Sequence, residues 1–313
     1  MYKKTGQFNP EKKTLKLFLD EYSINDFTFD RAASGIENAT LIINLKNKKY
    51  ALRVYRQSHK SDEDIYMELE FMSLLRRQGL PIPEIFKNKS GSVLTKLQIE
   101  GSEWQAILME YIDGHHADNY TTALIRKLAI NQALMHINGI KFAEKNCIGP
   151  KLSKLVESEF THLITKEQLQ NPEINSLIQR AKEFEVVLSE DTPYGITHLD
   201  YDVENVLVDE SEQNIKGILD FDDIKCAPVV VCLAYSLWSV LITTNSFDAV
   251  KEYITYYERE RKINNKERAL IKPVLLFRHY ALAALTLLRG ELDDEELRTY
   301  LRLEKEILEY NFE

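Results

Sequence analysis

The chain has 313 residues, of which 44% are hydrophobic, and a formal net charge of −9. This length and hydrophobic content exclude a disordered chain and fit two lobes or domains better than one. The acidic balance argues against nucleic acid as a partner, because phosphate backbones require clustered Lys and Arg, whereas it is compatible with a cationic substrate.

The cysteines and the N-terminus indicate the compartment. Cys147, Cys226 and Cys232 show no C-x-x-C spacing, so we expect neither a disulfide framework nor a zinc site. The N-terminus lacks an apolar core of signal-peptide length, and no segment reaches about 18 uninterrupted apolar residues. These features predict a soluble cytoplasmic protein without a membrane partner.

The first third of the chain predicts a short helix, a small sheet and a second helix. Residues 14–22 carry apolar side chains at helical spacing, and residues 62–78 have acidic residues at the start and basic residues at the end, as the helix dipole favours. Four runs predict strands of a sheet of about five. These runs are residues 39–45, 50–55, 92–95 and 103–109.

Arg53 is a charged residue within a predicted strand. It lies between Leu52 and Val54 in the sequence, so its side chain is on the opposite face of the strand from theirs. It could contact phosphate or be an exposed strand arginine, and the spacing alone favours neither.

Histidines outside the main motif give weaker signals. His115, His116 and Asp118 have the chemistry of metal ligands, but no second pair with ligand spacing follows them. We expect them to begin the second lobe. His136 lies at the apolar end of a predicted helix, residues 123–137, and fits a packed core histidine better than a catalytic one.

The clearest functional signal is a motif after residue 195. His198, Asp200 and Asn205 reproduce the spacing H-x-D-x-x-x-x-N, in which the Asp accepts a hydroxyl proton and the Asn coordinates Mg²⁺. Asp220 follows a predicted hairpin and would supply a second metal ligand. We expect His198 to support the loop structurally.

The chemistry explains why the motif needs these residue types. A nucleoside triphosphate repels nucleophiles, so Mg²⁺ with oxygen ligands must neutralise and position its phosphates. The alcohol that accepts the phosphate also needs a base beside the metal, and we assign this role to Asp200. The predicted metal ligands are Asn205 and Asp220.

Two apolar runs follow the motif, at residues 229–242 and 270–288. We expect buried helices rather than membrane spans, because the first run is too short and Lys272, Arg278 and His279 interrupt the second.

The stretch from His198 to Asn205, with Leu-Asp-Phe-Asp-Asp at residues 219–223, resembles the small-molecule phosphotransferase family that includes aminoglycoside phosphotransferases, homoserine kinase and choline kinase. These enzymes are similar to protein kinases in fold. The resemblance extends from about Phe27 to Leu288.

The resemblance implies an α+β, two-lobed, protein-kinase-like fold. Its expected parts are a β-rich nucleotide lobe at residues 1–109, a hinge at 110–114 and a mostly helical acceptor lobe at 115–313. ATP is expected in the cleft between the lobes, with main-chain groups of Glu110 and Ile112 holding adenine.

The resemblance also assigns the phosphate contacts. Residues 34–38 would lie over the phosphates, although they contain one glycine and match a glycine-rich loop poorly. Arg53 would contact phosphate, and Glu68 would pair with it, with Glu70 as a rival at a similar place. Arg is suited to bidentate oxygen contacts where protein kinases use Lys.

The chain departs from the family at two positions. Leu199 replaces a usual Gly, and Cys232 replaces the usual Asp of a D-L-A segment, a carboxylate that in the family buttresses the catalytic loop. These changes keep open a silent nucleotide-binding or interaction protein of the same fold. A true protein kinase is disfavoured because no A-P-E segment follows Asp220.

The predicted function is transfer of the γ-phosphate of ATP to a hydroxyl of a small molecule. We favour an amine-bearing acceptor, such as an aminoglycoside, an amino alcohol or a homoserine-like compound, because Asp222 and Asp223 follow the metal-binding Asp220 in an acidic chain. The acceptor, the choice between ATP and GTP, and the oligomeric state are left open.

Overall fold

The structure is a computed structural model that describes residues 11–31, 38–55, 60–99, 101–147, 171–184, 192–289 and 294–312. Of the predicted phosphate loop at 34–38, all but Asn38 lies outside these residues. The chain divides into two compact units, Met1–Gly114 with Lys216–Leu219 and His115–Ile215 with Asp220–Glu313.

The first unit is built on a six-stranded antiparallel sheet. Its strands are β1 (Thr28–Arg31), β2 (Ala39–Asn44), β3 (Lys49–Tyr55), β4 (Ile85–Phe86), β5 (Thr95–Ile99) and β6 (Ser102–Glu110). The order is β1-β2-β3-β6-β4, and β5 pairs with β6. The strand predicted at residues 92–95 was misplaced, because the Asn88 side chain accepts the Ser92 amide in a turn and β5 begins at Thr95.

Two helices belong to this unit, α1 (Lys12–Asp20) and α2 (Asp62–Arg77). Leu15, Phe18 and Leu19 of α1 have the spacing of one helical face and are fully buried in the same core cluster as residues of the sheet. A capping box of Ser61 and Asp64 starts α2 and satisfies backbone N–H groups of its first turn.

The second unit is mostly helical. Its described helices are α3 (Thr122–Asn146), α4 (Pro172–Glu183), α5 (Val229–Thr244), α6 (Phe247–Glu260), α7 (Asn265–Arg289) and α8 (Asp294–Glu309). The strands of this part of the chain are β7 (Tyr194–Thr197), β8 (Val206–Val208), β9 (Ile215–Ile218) and β10 (Lys225–Pro228). β7 pairs with β10 and β8 with β9. Helices α4, α5 and α7 share one core cluster.

Helix α7 resembles a membrane span by composition but packs as a core helix. Within the described residues, Asn265–Leu288 is the one segment long and apolar enough to cross a membrane, and 56% of its apolar window is buried inside the protein. Val274, Phe277 and Ala281 are fully buried against α4 and α5. A buried helix was predicted for this run.

The backbones of α3 and β7 are in direct contact. A Cβ atom at Gly139 would lie 2.2 Å from the carbonyl oxygen of Ile196, and one at Gly195 would lie 2.9 Å from the amide nitrogen of Ile140. Neither position has room for a side chain, so glycine is required at both. This contact fixes the strand that leads into the predicted catalytic loop.

The expectation that the cysteines form no disulfide was wrong. Cys147, which caps α3, is bonded to Cys226 of β10, with sulfur atoms 2.02 Å apart. The two residues are 79 positions apart in sequence, so their spacing gave no sign that the fold brings them together. Cys232 is a buried thiol.

Candidate active site

The predicted catalytic residues lie on the loop after β7, residues 198–205, which we call the catalytic loop. Leu199 adopts a φ of 57°, a left-handed conformation that is uncommon for residues other than glycine. This backbone explains why glycine suits the position. Leu199 occupies it at a cost of about 1–2 kcal/mol, and its side chain packs on the buried cluster of α4, α5 and α7.

Asp200 and Asn205 are joined by their side chains. The amide nitrogen of Asn205 donates to the backbone oxygen of Asp200 at 2.8 Å and to its carboxylate Oδ2 at 2.9 Å. A 3₁₀ turn, Val203–Asn205, brings the two residues within reach. Because the amide nitrogen makes both bonds, the amide oxygen of Asn205 is the atom that can ligate a metal.

Asp220 lies just before a second 3₁₀ turn, Phe221–Asp223, and has a left-handed backbone with φ 57° and ψ 61°. Such conformations are often found at functional sites. The described residues contain no group of three or more His, Cys, Asp or Glu that could hold a metal. An amide oxygen with one carboxylate fits Mg²⁺, which usually takes few protein ligands and completes its shell with water and phosphate oxygens.

His198 is buried and packs between parts of the site. Its ring is 1% exposed and meets the ring of Phe221 edge-on, with centroids 4.7 Å apart. The ring of Tyr201 lies 6.0 Å away. This packing links the catalytic loop to the turn after Asp220 and fits a structural role for His198.

Asp202 is a second carboxylate of the catalytic loop. It caps the 3₁₀ turn by accepting the Glu204 amide at 2.9 Å. The pKa of Asp202 is raised to about 7, first by burial and then by the negative charges of Asp200 and Glu204, while the Glu204 amide and Arg278 oppose the shift. The loop therefore concentrates negative charge around Asp200.

Arg278 of α7 is a site residue that sequence reasoning missed. Its Nη2 lies 3.7 Å from Oδ1 of Asp200, and its guanidinium lies over the ring of Tyr235, 4.4 Å from the centroid. In the sequence Arg278 was treated as an interruption of an apolar run. The signal available in the sequence was a positively charged residue within a helix whose other side chains mostly form the core.

The first unit contains a buried ionic cluster around Glu68, which is 0% exposed. Its carboxylate accepts from Lys60 Nζ at 2.7 Å and from the Tyr55 hydroxyl at 3.2 Å, and lies 3.6 Å from Arg53 Nη1. Glu70 is exposed. The structure thus pairs Arg53 with Glu68 rather than Glu70 and adds Lys60, which sequence reasoning missed.

The residues predicted to hold adenine lie at the end of β6. The amide of Glu110 donates to the Glu84 carbonyl at 2.8 Å, and its carboxylate accepts from Arg76 at 2.9 Å. The Ile112 side chain packs on Gly217, where a Cβ atom would lie 3.1 Å from it. Glu110 could therefore offer adenine its carbonyl oxygen, since its amide already has a partner.

The residues near position 115 have the chemistry of metal ligands but belong to no metal-binding group among the described residues, in line with the expectation that they begin the second lobe. His115 makes an isolated β-bridge with Val208, and its Nε2 lies 3.6 Å from the Glu212 carboxylate. His116 and Asp118 are exposed. These residues begin the second unit.

Known proteins resemble the chain in sequence. Homoserine kinase of Beijerinckia indica is 26% identical over 271 residues, covering 83% of this chain and 80% of its own. Homoserine kinase of Caulobacter vibrioides is 24% identical over 273 residues, covering 83% and 81%.

Solved structures share the fold. A microcompartment-associated aminopropanol kinase superposes with a TM-score of 0.67 at 16% identity, covering 95% of both chains. An amicoumacin kinase in complex with AMP-PNP, Ca²⁺ and its ligand superposes with a TM-score of 0.69 at 17% identity, covering 91% of this chain and 90% of its own. These similarities confirm the predicted α+β, protein-kinase-like fold.

The sequence profile described as the APH phosphotransferase enzyme family matches residues 28–269. This match spans the sheet of the first unit, the catalytic loop and Asp220. It confirms the resemblance found in the motif, and the chain belongs to the APH phosphotransferase enzyme family.

Proposed function

We propose that the protein transfers the γ-phosphate of ATP to a hydroxyl group of a small amine-bearing molecule. The observation that carries the proposal is the side-chain bond between Asn205 and Asp200, 2.9 Å long. It holds a carboxylate next to an amide oxygen, which is the arrangement that a base beside a metal site requires.

The second unit supplies the reacting groups. Asp200 accepts the proton of the acceptor hydroxyl at a carboxylate oxygen, and its side chain is 43% exposed, so a substrate can reach it. Asn205 and Asp220 hold Mg²⁺, which when bound neutralises phosphate charge. His198 keeps their two loops packed together.

The first unit supplies the nucleotide contacts, with residues 1–109 as the nucleotide lobe, 110–114 as the hinge and 115–313 as the acceptor lobe. Arg53 neutralises phosphate charge, and Glu68 fixes its position. The Glu110 carbonyl and the Ile112 amide contact adenine. A silent nucleotide-binding protein finds no support in the family match or in the relatives described above, which are named as kinases.

Arg278 narrows the choice of acceptor molecule to one that carries a carboxylate. Homoserine carries a hydroxyl, an amine and a carboxylate, and the two relatives described above are homoserine kinases. A guanidinium 3.7 Å from the base, at Asp200 Oδ1, suits a carboxylate close to the reacting hydroxyl. We therefore propose a hydroxy-amino acid as the acceptor and the cytoplasm as its location.

Transfer from labelled ATP tests this proposal with three matched acceptors. Homoserine is compared with 3-amino-1-propanol, which lacks the carboxylate, and with 4-hydroxybutanoate, which lacks the amine. We expect homoserine to have the largest kcat/KM and Arg278→Gln to remove its advantage over 3-amino-1-propanol, about tenfold. Absence of transfer to these compounds and to aminoglycosides would contradict the proposed phosphotransferase function. A preference for 4-hydroxybutanoate would contradict the proposal that the acceptor carries an amine.

A further inference from the structure

Helix α5 is almost wholly buried and apolar, yet one of its faces is polar. Cys232, Ser236 and Ser239 are spaced by four and three residues, so they lie in one row along the helix. We call these three residues the polar row. The row contains no carboxylate.

The polar row contacts consecutive parts of the catalytic loop. Ser236 Oγ donates to the backbone oxygen of Tyr201 at 2.7 Å, and Ser239 Oγ donates to Asp202 Oδ2 at 3.4 Å. Burial raises the pKa of the Cys232 thiol to about 11, while hydrogen bonds with the Leu199 backbone, the Gln132 side chain and the His198 backbone oppose the shift. The thiol is therefore neutral at physiological pH and adjoins the start of the loop.

Gln132 of α3 fixes the direction of the Ser236 hydroxyl. Its amide nitrogen donates to Ser236 Oγ at 2.7 Å and to the Cys232 carbonyl at 3.2 Å, while the Tyr253 hydroxyl donates to its Oε1 at 3.0 Å. Gln132, Tyr253 and Ser236 are 0%, 1% and 3% exposed. Because Gln132 occupies an acceptor site of the hydroxyl, the hydrogen of that hydroxyl is directed to Tyr201.

We propose that Ser236, oriented by Gln132 and Tyr253, is a positioning residue for Asp200. Tyr201 directly follows Asp200, so holding its carbonyl fixes the backbone on which the base is carried. The proposal rests on the proposed role of Asp200 as base.

Charge explains why a neutral support suits this loop. The loop already carries Asp200, Asp202 and Glu204, and their mutual repulsion contributes to the raised pKa of Asp202. A further buried carboxylate at position 232 would add a like charge in a poorly solvated place. The Ser236 hydroxyl instead donates to the Tyr201 carbonyl, a bond that an ionised carboxylate, which only accepts, could not make.

The test measures kcat and KM with ATP and homoserine at a temperature where every variant is folded. We expect Ser236→Ala to lower kcat about tenfold, because Tyr201 loses its donor and Gln132 loses its acceptor in the interior. KM for both substrates should stay within about twofold. Ser236→Thr keeps the hydroxyl and should restore kcat to within about twofold of wild type.

The matched control is Thr244→Val, which also removes a hydroxyl from α5. Thr244 Oγ1 donates to the Val240 carbonyl of its own helix at 2.7 Å, rather than to the catalytic loop, so kcat should not change. Tyr253→Phe keeps the ring and removes the hydroxyl that bonds Gln132 and also interacts with Ser236, so it should lower kcat about threefold even if Ser236→Ala does not fold.

Hydrogen exchange of the peptide covering residues 198–206 gives a second measurement that needs no acceptor. Ser236→Ala and Tyr253→Phe should accelerate its exchange, about tenfold and threefold, while Thr244→Val should not. Wild-type kcat and exchange in both variants would overturn the positioning role. If wild type transfers phosphate to no acceptor, the proposed function fails, and the exchange data still decide whether the network positions the loop.

Discussion

The two units hold their candidate site residues by opposite means. In the first unit, buried Glu68 is surrounded by Arg53, Lys60 and the Tyr55 hydroxyl. In the second unit Arg278 lies 3.7 Å from the Asp200 carboxylate, but the backbone of the catalytic loop is contacted by neutral side chains of the polar row, which Gln132 orients. Removing a member of the ionic cluster leaves charges uncompensated, whereas removing a neutral member loses hydrogen bonds but leaves no charge without a partner. A cation proposed to contact phosphate, such as Arg53, can be positioned by a buried carboxylate. The catalytic loop already carries three acidic residues, so neutral hydrogen-bond donors suit it better than a further charge.

The largest effect on kcat is expected at Asp200, the residue that the neutral network is proposed to position. Asp200→Asn keeps the size of the side chain but removes the base, so kcat should fall about a hundredfold or more. Affinity for Mg²⁺ and ATP should stay near that of wild type, because Asn205 and Asp220 are unchanged. Rapid-quench kinetics and nucleotide titration measure the two quantities, and a wild-type kcat would show that another group accepts the proton.

The next largest effect is expected when the buried ionic cluster of the first unit is disrupted. Glu68→Gln leaves Arg53 and Lys60 without a buried counter-charge, so the free energy of unfolding should fall by about 3 kcal/mol. Affinity for ATP should fall about tenfold as Arg53 loses its orientation. The control is Glu70→Gln on the same helix, which is exposed and should change neither quantity. Equal results for the two variants would contradict the assigned pairing.

A third prediction concerns the buried, neutral His279 of the second unit. His279 Nδ1 accepts from Trp238 at 3.3 Å, and the neutral ring can donate from Nε2 to the Tyr300 carbonyl at 3.0 Å. Burial lowers the pKa of His279 from 6.5 to about 4, while the Tyr300 backbone and Glu304 oppose the shift. Because the folded pKa is depressed, the stability from neutral His279 is complete above pH 6.5 and is lost as pH falls towards about 4.

Chemical denaturation at pH 7.5 and pH 5 measures this loss. We expect His279 to contribute about 2 kcal/mol to the difference in free energy of unfolding, and His279→Gln should reduce the difference by that amount. His116→Gln at an exposed position is the control. An unchanged pH dependence in His279→Gln would show that the histidine is not held neutral.

The smallest effect concerns the strained start of the catalytic loop. Leu199→Gly relieves the cost of a φ of 57° but loses the packing of a half-buried side chain and makes the unfolded chain more flexible. The net change in stability should stay within about 1 kcal/mol. Ser23→Gly isolates the backbone part, because Ser23 has a φ of 60° and is exposed. A loss of several kcal/mol in Leu199→Gly alone would show that packing, not strain, dominates this position.

The fold was readable from sequence because its signals are local, and the contact between Asp200 and Asn205 lies within a local motif as well. The spacing from Asp200 to Asn205 spans one turn of chain, and alternating or helical apolar patterns predicted the hairpin of the first unit and the helices of the second. The departure at Leu199 also pointed to a real feature, its left-handed backbone.

The site residues that could not be predicted from sequence either pair with residues of other elements or are neutral groups. Gln132 meets Ser236 across 104 positions, and a serine in an apolar helix resembles an ordinary core residue in sequence. Arg278 and Lys60 were visible as charges, but their partners Asp200 and Glu68 were set by the packing of separate elements. Tertiary contacts of this kind leave no periodic pattern to detect.

The disulfide has a consequence for the covalent topology of the chain. Cys147 and Cys226 close a ring across a sequence separation of 79 residues, and Asp200, Asn205 and Asp220 all lie inside it. In an oxidised molecule, a single backbone cut within the ring leaves both pieces covalently attached, and ring closure restricts the unfolded chain by about 4 kcal/mol. In a reducing cytoplasm the disulfide would be reduced and the ring would open. The redox state around the protein therefore decides whether the three residues that carry the proposed chemistry lie within a covalently closed ring.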